Sequence, residues 1–429
     1  MGGVSMEQVN SPWGFLPRGW RLSTIDEEKE RLTDYVANGS FASLASNVHY
    51  KDTEDYAVLI RLVDFNNDFK GPFVYIDEHA YSFLSKSSLS GGEIIISNVG
   101  ANVGTVFKCP NLPYKMSLAP NAITIKLKGD NDFYYYWFKS KIGQANIQAL
   151  VTGSAQPKFN KTNFRSMYIP VPPLDVQRRI ASILSSLDRK IELNNKINAD
   201  LEEMAQAIFK NWFVDFEPFK DGKFVDSELG MIPEGWKVGR FDEIADIVGG
   251  STPSKAKPEY YTQKGIAWLT PKDLSNHPAV YTSRGEIDIT EEGYNSTSTK
   301  LMPKGTILFT SRAPIGYISI AQNDICTNQG FKSLVPKKAG TCFLYCFLKY
   351  VTPVIENKST GSTFKEASGS LMKSLQVIMP EQKVFEDFET IVSPLFARIE
   401  SLEKENSRLS TLRDTLLPRL MSGELEVPE

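Results

Sequence analysis

The chain repeats itself over a distance of about 210 residues, and this duplication constrains the fold more than any other feature. Pro-Arg-Gly-Trp at 17–20 returns as Pro-Glu-Gly-Trp at 233–236. Further matches follow in the same order: 92–97 with 305–310, 133–139 with 343–349, 153–154 with 361–362, and 169–170 with 379–380. Solenoid units repeat every 20 to 50 residues, so a whole domain is duplicated here. Such a chain is expected to bind two things, or one thing with near twofold symmetry.

Composition is that of a folded protein with two or three domains. The chain has 429 residues, of which 41% are hydrophobic. It contains no run of 18 apolar residues and no signal pattern at its start, so we expect no membrane span and a cytoplasmic location. Four scattered cysteines and only three histidines favour buried free thiols over a metal site.

Positive charge is concentrated at equivalent places in the two copies, although the net charge is −3. Residues 104–170 hold nine Lys or Arg against two Asp, and residues 300–350 hold seven against one Asp. A basic patch on a nearly neutral protein is typical of nucleic-acid binding. The alternative is that these lysines only solvate strand faces.

Both copies are predicted to be α+β. Short β-branched runs at 57–63, 93–97 and 122–127 are typical of strands, and 132–147 is helix-like. The second copy repeats the order: strands at 265–269, 305–310 and 317–321, a loop at 311–316, and a helix at 342–350.

Each copy is followed by a long helix with an apolar heptad. Across 180–212 and 388–421 the two stripes align at an offset of 208. The predicted scaffold residues are Ile183, Leu187, Asn194 and Leu201 in the first helix and Ile391, Leu395, Leu402 and Leu409 in the second. Each helix packs either on its own globule or on the other helix, and the sustained register with its charged flanks favours a helix pair. The pair is antiparallel if the intervening globule returns the chain to the far end.

The length of such a pair suits a duplex. A helix of 30 residues is about 45 Å long, and twofold readers of B-DNA contact half-sites about 34–36 Å apart. The rod is therefore predicted to hold the globules at opposite ends, related by a pseudo-twofold axis.

Residue patterns for catalysis are absent from the sequence. There is no phosphate-binding loop, no dinucleotide turn, and no Asn/Asp-Pro-Pro-Tyr/Phe segment of amino-methyltransferases. His49, His79 and His277 are not matched between the copies, whereas a shared mechanism would duplicate its residues. The sequence therefore predicts a binding protein and not an enzyme.

Six segments carry a resemblance to one family. They read Met-Ile-Pro-Glu-Gly-Trp-Lys at 231–237, Ile-Val-Gly-Gly-Ser-Thr-Pro-Ser at 247–254, Trp-Leu-Thr-Pro-Lys-Asp-Leu at 268–274, Ile-Pro-Val-Pro-Pro-Leu at 169–174, Asn-Trp-Phe-Val-Asp-Phe-Glu-Pro at 211–218 and Leu-Leu-Pro-Arg-Leu-Met-Ser-Gly at 416–423. In their order along the chain they resemble the specificity subunit of type I restriction–modification enzymes, over essentially the whole chain.

This resemblance implies two target-recognition domains, at 1–170 and 218–380, and two helical regions, at 171–217 and 381–429, paired as an antiparallel coiled coil. It implies a reader of a bipartite, asymmetric target in double-stranded DNA. The implied partners are two methyltransferase subunits and two restriction subunits, which would carry S-adenosylmethionine, ATP and Mg, while this chain has no cofactor. The Gly-Gly-Ser-Thr-Pro-Ser and Trp-Leu-Thr-Pro segments have no clear counterpart before residue 90.

Candidate DNA contacts are polar or basic residues in loops, because phosphates bind Lys and Arg while base edges bind Arg, Asn, Gln or Ser. They are Asn98, Asn102, Gln156, Lys158, Lys161 and Arg165 in the first copy, and Ser251, Lys255, Ser311, Arg312, Thr363 and Lys365 in the second. The segments 153–158 and 361–365 are predicted to be an equivalent DNA-facing loop, with an ordinary glycine turn as the alternative.

Two rival functions remain at this stage. A non-catalytic coiled-coil adaptor with two protein-binding heads explains the repeat equally well, but it predicts no salt-dependent DNA binding. An enzyme in its own right would need activity without a partner.

Overall fold

A computed structural model describes residues 10–359 and 365–427. It divides into a first unit, Met1–Lys190 with Leu409–Glu429, and a second unit, Ile191–Arg408. Each unit contains one copy of the repeat and part of each long helix.

The first unit mixes short strands with short helices. Its strands are β1 (Asn10–Ser11), β2 (Gly14–Phe15), β3 (Arg21–Thr24), β4 (Lys29–Asp34), β5 (Ala57–Ile60), β6 (Val74–Ile76), β7 (Ser88–Leu89), β8 (Ile94–Ser97), β9 (Val106–Lys108), β10 (Lys115–Leu118), β11 (Ala122–Leu127) and β12 (Tyr168–Val171). Its helices are α1 (Ile25–Glu28), α2 (Phe41–Asn47), α3 (Leu62–Asn66), α4 (Glu78–Phe83), α5 (Asn131–Lys139), α6 (Lys141–Ala149), α7 (Lys161–Arg165), the first part of α8 (Leu174–Phe213) and the end of α13 (Gln382–Ser422).

The core of this unit lies on both faces of β8. The main sheet has the order β4-β11-β8-β9, and a second sheet has the order β6-β5-β10-β7. Ile94 and Ile96 pack in one apolar cluster with Trp137 of α5, while Ile95 packs in another with Phe107. Successive side chains of a strand point to opposite faces, so a strand that is covered on both sides is apolar throughout.

The second unit has the same character. Its strands are β13 (Phe224–Val225), β14 (Ile232–Pro233), β15 (Lys237–Arg240), β16 (Ala245–Gly249), β17 (Tyr261–Thr262), β18 (Trp268–Leu269), β19 (Tyr281–Thr282), β20 (Asp288–Ile289), β21 (Ile307–Ser311), β22 (Ile315–Ala321), β23 (Cys326–Thr327), β24 (Lys332–Pro336) and β25 (Gln376–Met379). Its helices are the rest of α8, α9 (Pro271–Asn276), α10 (Glu291–Asn295), α11 (Thr341–Lys358), α12 (Gly369–Ser374) and most of α13 (Gln382–Ser422). The predicted α+β class with an internal repeat is confirmed.

The repeat in sequence is a repeat in structure. The sheet order β4-β11-β8-β9 returns as β16-β24-β21-β22, with β19 added at the edge. The antiparallel pair β3-β12 returns as β15-β25. The peptide N–H groups of Trp20 and Trp236 donate to the carbonyl oxygens of Pro17 and Pro233, each at 3.1 Å.

A counterpart to the Trp-Leu-Thr-Pro segment does exist in the first unit. β5 runs parallel to β10, as β18 runs parallel to β23, and a short helix follows both β5 and β18. An aspartate caps each helix: the N–H of Arg61 donates to Asp64 at 2.8 Å, and that of Thr270 donates to Asp273 at 2.7 Å. Because only this aspartate is shared, the sequence comparison missed the match.

The connection between β21 and β22 is shorter than predicted. We expected a loop at 311–316, but Ser311 ends β21 and Ile315 begins β22, so the turn consists of residues 312–314.

The long helices contact each other within each unit. They have 40 and 41 residues, which at 1.5 Å per residue makes each about 60 Å long. In the second unit Asn194 contacts Asn406 at 2.8 Å, and the rings of Phe213 and Phe388 lie 5.1 Å apart. In the first unit the Arg413 guanidinium donates to Asp188 at 2.8 Å. In the second unit, the later residues of α8 contact the earlier residues of α13, so the two helices run antiparallel there.

The predicted heptad is partly displaced. Asn194 and Leu402 are fully buried, and Ile183, Leu187, Leu201, Leu395 and Leu409 are partly buried. Ile391 is 47% exposed, whereas its neighbour Val392 is fully buried. Met204 is likewise exposed and Ala205 buried. The stripe shifts because these segments also pack on the second unit's globule through the aromatic cluster around Phe209.

The four cysteines are free and buried. Burial raises the pKa of the Cys326 thiol to about 11, so this thiol is protonated at neutral pH. Among the described residues, no helix is long and apolar enough to cross a membrane.

Candidate nucleic-acid interface

In the second unit three loops meet where β21 ends. The N–H of Ser311 donates to the Gly330 carbonyl at 2.8 Å, and the N–H of Ala367 donates to the Ser311 carbonyl at 2.9 Å. The hydroxyl of Ser311 also donates to Gly330, and the side chain is fully buried. Ser311 therefore joins loops together, and a base edge cannot reach its side chain.

Arg312 follows at the surface of this junction. Its guanidinium lies 3.4 Å from a carboxylate oxygen of Glu366, and Lys332 lies 3.4 Å from the other oxygen. The Arg312 side chain is 37% exposed and that of Lys332 is 17% exposed. A long, half-exposed pair of this kind is worth little in water, so Arg312 is available to a stronger anion.

A cleft of about 920 Å³, called here the second cleft, opens beside this turn. Its charged lining residues are three cations, Lys255, Lys272 and Arg312, without a carboxylate among the described residues that line it. Tyr261, Trp268, Asn328 and Gly330 form part of its wall. The cleft therefore presents positive charge and aromatic surface together, as clefts that bind nucleic acid do.

The Gly-Gly-Ser-Thr-Pro-Ser segment forms the framework of the second cleft. The N–H of Ser251 donates to the Thr327 carbonyl at 3.0 Å, and the Trp268 indole N–H donates to the Ser251 carbonyl at 3.1 Å. A Cβ atom on Gly250 would overlap the Thr327 carbonyl oxygen. Ser251 is thus held by its backbone, and the chain after it places Lys255 at the cleft.

The first unit repeats this junction around Asn98. The N–H of Asn98 donates to the Asn121 carbonyl at 3.0 Å, and the N–H of Phe159 donates to the Asn98 carbonyl at 3.1 Å. These two bonds correspond to those at Ser311. The N–H of Gly100 also donates to the Pro157 carbonyl at 2.9 Å. The loops 98–104 and 152–158 are thereby joined, which brings together the candidates Asn98, Asn102, Gln156 and Lys158.

Lys161 and Arg165 belong to the helix after these loops. Lys161 forms an ion pair with Asp34 at 2.8 Å, and its side chain is 27% exposed. Arg165 is more exposed and lies 3.8 Å from Asp26. Lys161 therefore serves to hold Asp34, while Arg165 is accessible to a phosphate.

The remaining candidates, Thr363 and Lys365, follow α11 in the sequence. Lys365 is exposed, and its ammonium group lies 3.4 Å from the Glu356 carbonyl oxygen. Thr363 lies outside the described residues. The comparison of 153–158 with 361–365 is accordingly limited to residues from 365 onward.

A cleft of about 560 Å³, called here the first cleft, opens at the junction of the first unit. It is lined by Asn98, Val99 and Asn121, and by the exposed side chains of Val36, Phe41 and Tyr50. Phe41 is 82% exposed. Asp34 is the sole charged residue among the described residues that line it.

Sequence reasoning missed four cleft residues: Lys272, Phe41, Tyr50 and Asn121. Lys272 follows the Trp-Leu-Thr-Pro segment, so its position in a motif was a usable signal. Phe41 and Tyr50 lie in irregular sequence without periodicity, and neither residue belongs to a matched segment.

Comparisons with known proteins agree with this architecture. The profile of the type I restriction modification DNA specificity domain matches residues 37–203 and 233–410, which is most of the chain. The MjaIX type I restriction enzyme specificity subunit of Methanocaldococcus jannaschii is 40% identical over 193 residues, which are 44% of each chain. The alignment thus spans less than half of that relative.

Two further matches cover more of the chain. The HindI specificity subunit of Haemophilus influenzae is 27% identical over 330 residues, which are 63% of this chain and 71% of that one. The crystal structure of a type I restriction–modification S subunit from M. genitalium superposes with a TM-score of 0.54 at 20% identity, covering 96% of both chains. The chain belongs to the family of type I restriction–modification DNA specificity subunits.

Proposed function

We propose that this chain is the sequence-reading subunit of a type I restriction–modification complex and performs no chemistry itself. Each unit is proposed to read one half of a bipartite, asymmetric target in double-stranded DNA. The observation that carries the proposal is the second cleft, where three cations and no described carboxylate line one concave surface. The match to a DNA specificity domain supports DNA as the anionic ligand of this cleft.

The junction gives each cation a role. Arg312 follows a strand whose end is fixed on both sides by backbone hydrogen bonds, so its side chain starts from a rigid position. A guanidinium matches the O6 and N7 acceptors of guanine by two hydrogen bonds. Lys255, in a loop, and Lys272, in α9, line the same cleft and suit phosphates, which position a reader without specifying sequence.

The partners are also part of the proposal. Two methyltransferase subunits, with S-adenosylmethionine, and two restriction subunits, with ATP and Mg, would supply the chemistry. The paired helices would be the scaffold on which they dock, and the complex would work in the cytoplasm of a bacterium or archaeon. A two-headed protein adaptor is the competing outcome of the test below.

The test is DNA binding by the complex of this chain with its methyltransferase subunit. The DNA carries the motif that is methylated when both are co-expressed. Affinity should fall steeply with salt, because each phosphate contact releases counterions. Arg312→Ala should cost about 1–3 kcal/mol and relax one position of the motif.

Arg240→Ala is the matched control. Arg240 is an exposed arginine of the same unit, paired with Asp242 at 2.8 Å and absent from the lining of the second cleft. The control should bind like the wild type. Binding that is weak and insensitive to salt in the wild type would favour the adaptor, and an equal loss on every sequence in Arg312→Ala would make it a phosphate contact.

A further inference from the structure

We infer that the first unit reads an A·T base pair, with Asn121 bonding the adenine and Phe41 contacting the thymine methyl group. This inference rests on the proposed function and specifies the chemistry of one half-site. Its starting point is that the two clefts share two equivalent positions of the repeat, Val99 with Arg312 and Asn121 with Gly330, but differ in lining.

The equivalence of the clefts follows from duplicated hydrogen bonds. Asn121 accepts from Asn98 in the first unit as Gly330 accepts from Ser311 in the second. The preceding turns match as well: the N–H of Ala119 donates to the carbonyl oxygen of Ile60, the last residue of β5, at 3.1 Å. The N–H of Asn328 donates to Leu269 at 2.9 Å in the corresponding place. At these positions the two clefts therefore share a frame of backbone hydrogen bonds.

The side chains on this frame are exchanged. Arg312 of the second cleft stands where Val99 stands in the first, and Gly330 stands where Asn121 stands. The first cleft thus loses the guanidinium that suits guanine and gains an amide. An Asn amide pairs with the N6 and N7 groups of adenine by two hydrogen bonds. Asn121 is exposed and has a φ of +70°, a left-handed conformation that Asn tolerates, at the tip of its loop.

The apolar half of the lining points to the same base pair. Phe41, Tyr50 and Val36 are 82%, 55% and 44% exposed, and all three line the first cleft. Thymine is the base that presents an apolar group, its C5-methyl, in the major groove. The backbone of Phe41 is fixed, because it begins α2 directly after Ser40, whose hydroxyl accepts from the N–H of Ser43 at 3.2 Å.

The charge of the first cleft excludes a role as a phosphate clamp. Among the described residues that line this cleft, Asp34 alone is charged, and it accepts hydrogen bonds from Lys161 at 2.8 Å and from the N–H of Ala37 at 2.9 Å. The phosphate contacts of this unit would fall to residues outside the cleft, such as Lys158 and Arg165. The cleft itself is left with an amide and an apolar surface, which together match the edge of an A·T pair.

The experiment changes one chemical group of one base at a time. In the half-site that Arg312→Ala leaves unaffected, each thymine in turn is replaced by deoxyuridine, which lacks the methyl group. Binding by the complex with the methyltransferase subunit is then measured. The wild type should lose about fourfold in affinity at one thymine, the worth of one buried carbon group. Phe41→Ala should bind the thymine and uracil forms equally.

The controls separate this effect from folding and from general binding. Tyr168→Ala removes another exposed aromatic side chain of the same unit, 47% exposed and outside the first cleft, and should keep the fourfold difference. Asn121→Gly keeps the backbone, since glycine adopts the φ of +70° found at this position without strain. The wild type should lose about fivefold in affinity when the paired adenine is replaced by 7-deazaadenine, which lacks one acceptor. Asn121→Gly should bind the two forms of the DNA equally.

The outcomes are distinct. Equal affinity of the wild type for thymine and uracil at every position would overturn the inference, as would an unchanged difference in Phe41→Ala. A loss of affinity in Phe41→Ala that is the same on all sequences would also overturn it, because the ring would then be inserted between neighbouring base pairs without reading a thymine. The proposed function itself fails only if the wild-type complex does not prefer the motif over scrambled DNA.

Discussion

The buried amide of Asn194 should make the protein less stable than a leucine in its place would. Asn194 is fully buried in the helix pair, and its amide nitrogen donates to Glu405 at 2.9 Å and to Asn406 at 2.8 Å. Its amide oxygen is buried without a hydrogen-bond partner in the described part of the chain. We expect Asn194→Leu to raise the melting temperature of the second unit.

The magnitude follows from three contributions. A buried unpaired acceptor costs about 1–3 kcal/mol, and burying a leucine side chain contributes about 1.5–3 kcal/mol. Against these stand two lost hydrogen bonds, worth about 2–4 kcal/mol together, one of them to a carboxylate. Because Glu405 and Asn406 are only partly buried, water can replace what they lose. The balance is a gain of about 1–2 kcal/mol, or about 2–8 °C for a unit of this size.

Differential scanning calorimetry of the full chain with its methyltransferase subunit is the assay. Leu402→Asn is the matched control, since Leu402 is fully buried at the corresponding position of α13 and aligns with Asn194 in the repeat. Placing an amide there should lower the melting temperature by several degrees. A lower melting temperature in Asn194→Leu would refute the reasoning, because it would show that the amide network outweighs apolar packing.

Three further predictions follow from single contacts. Burial raises the pKa of Glu403 to about 7, despite hydrogen bonds from the N–H groups of Val280 and Tyr281. Because the folded state thus favours the protonated acid, the stability of the wild type relative to Glu403→Gln should fall by on the order of 3 kcal/mol as pH rises from about 4.5 to 7. Denaturant unfolding measures this difference. Gly250→Ala should lower stability by about 1–3 kcal/mol and weaken DNA binding, because the new Cβ would overlap backbone carbonyl oxygens. The Cβ of Gly249→Ala would enter open space, so this control should have a milder effect in the same melting and binding assays. Glu366→Gln should tighten binding to all DNA at low salt, because it removes the carboxylate beside Arg312; unchanged binding to scrambled DNA would contradict this.

Features that repeat or alternate were predictable from the sequence. The duplication, the α+β class and both long helices come from matched segments and apolar periodicity, which local residue patterns determine directly. The displaced stripe at Ile391 and Val392 shows the limit of this approach. A heptad count assumes one partner, whereas in the second unit these helices pack both on each other and on a globule.

The candidate site was only partly predictable for a related reason. Arg312 and Lys255, which line the second cleft, were predicted as contacts because basic residues beside motif loops are a direct signal. Ser311 was misjudged, since nothing in its sequence shows that two loops cover it. Phe41 and Asn121 were missed because an exposed aromatic ring and a left-handed asparagine acquire meaning only when the fold brings them to one cleft.

The most direct test of the central claim is a map of methylated adenines. The chain is co-expressed with its methyltransferase subunit, and host DNA is read by single-molecule sequencing with and without this chain. We predict one split, asymmetric motif that appears only when the chain is present, and that becomes degenerate at one position of one half in Arg312→Ala. A complex that forms but adds no methylation, or methylation that does not depend on this chain, would contradict its role as the sequence reader.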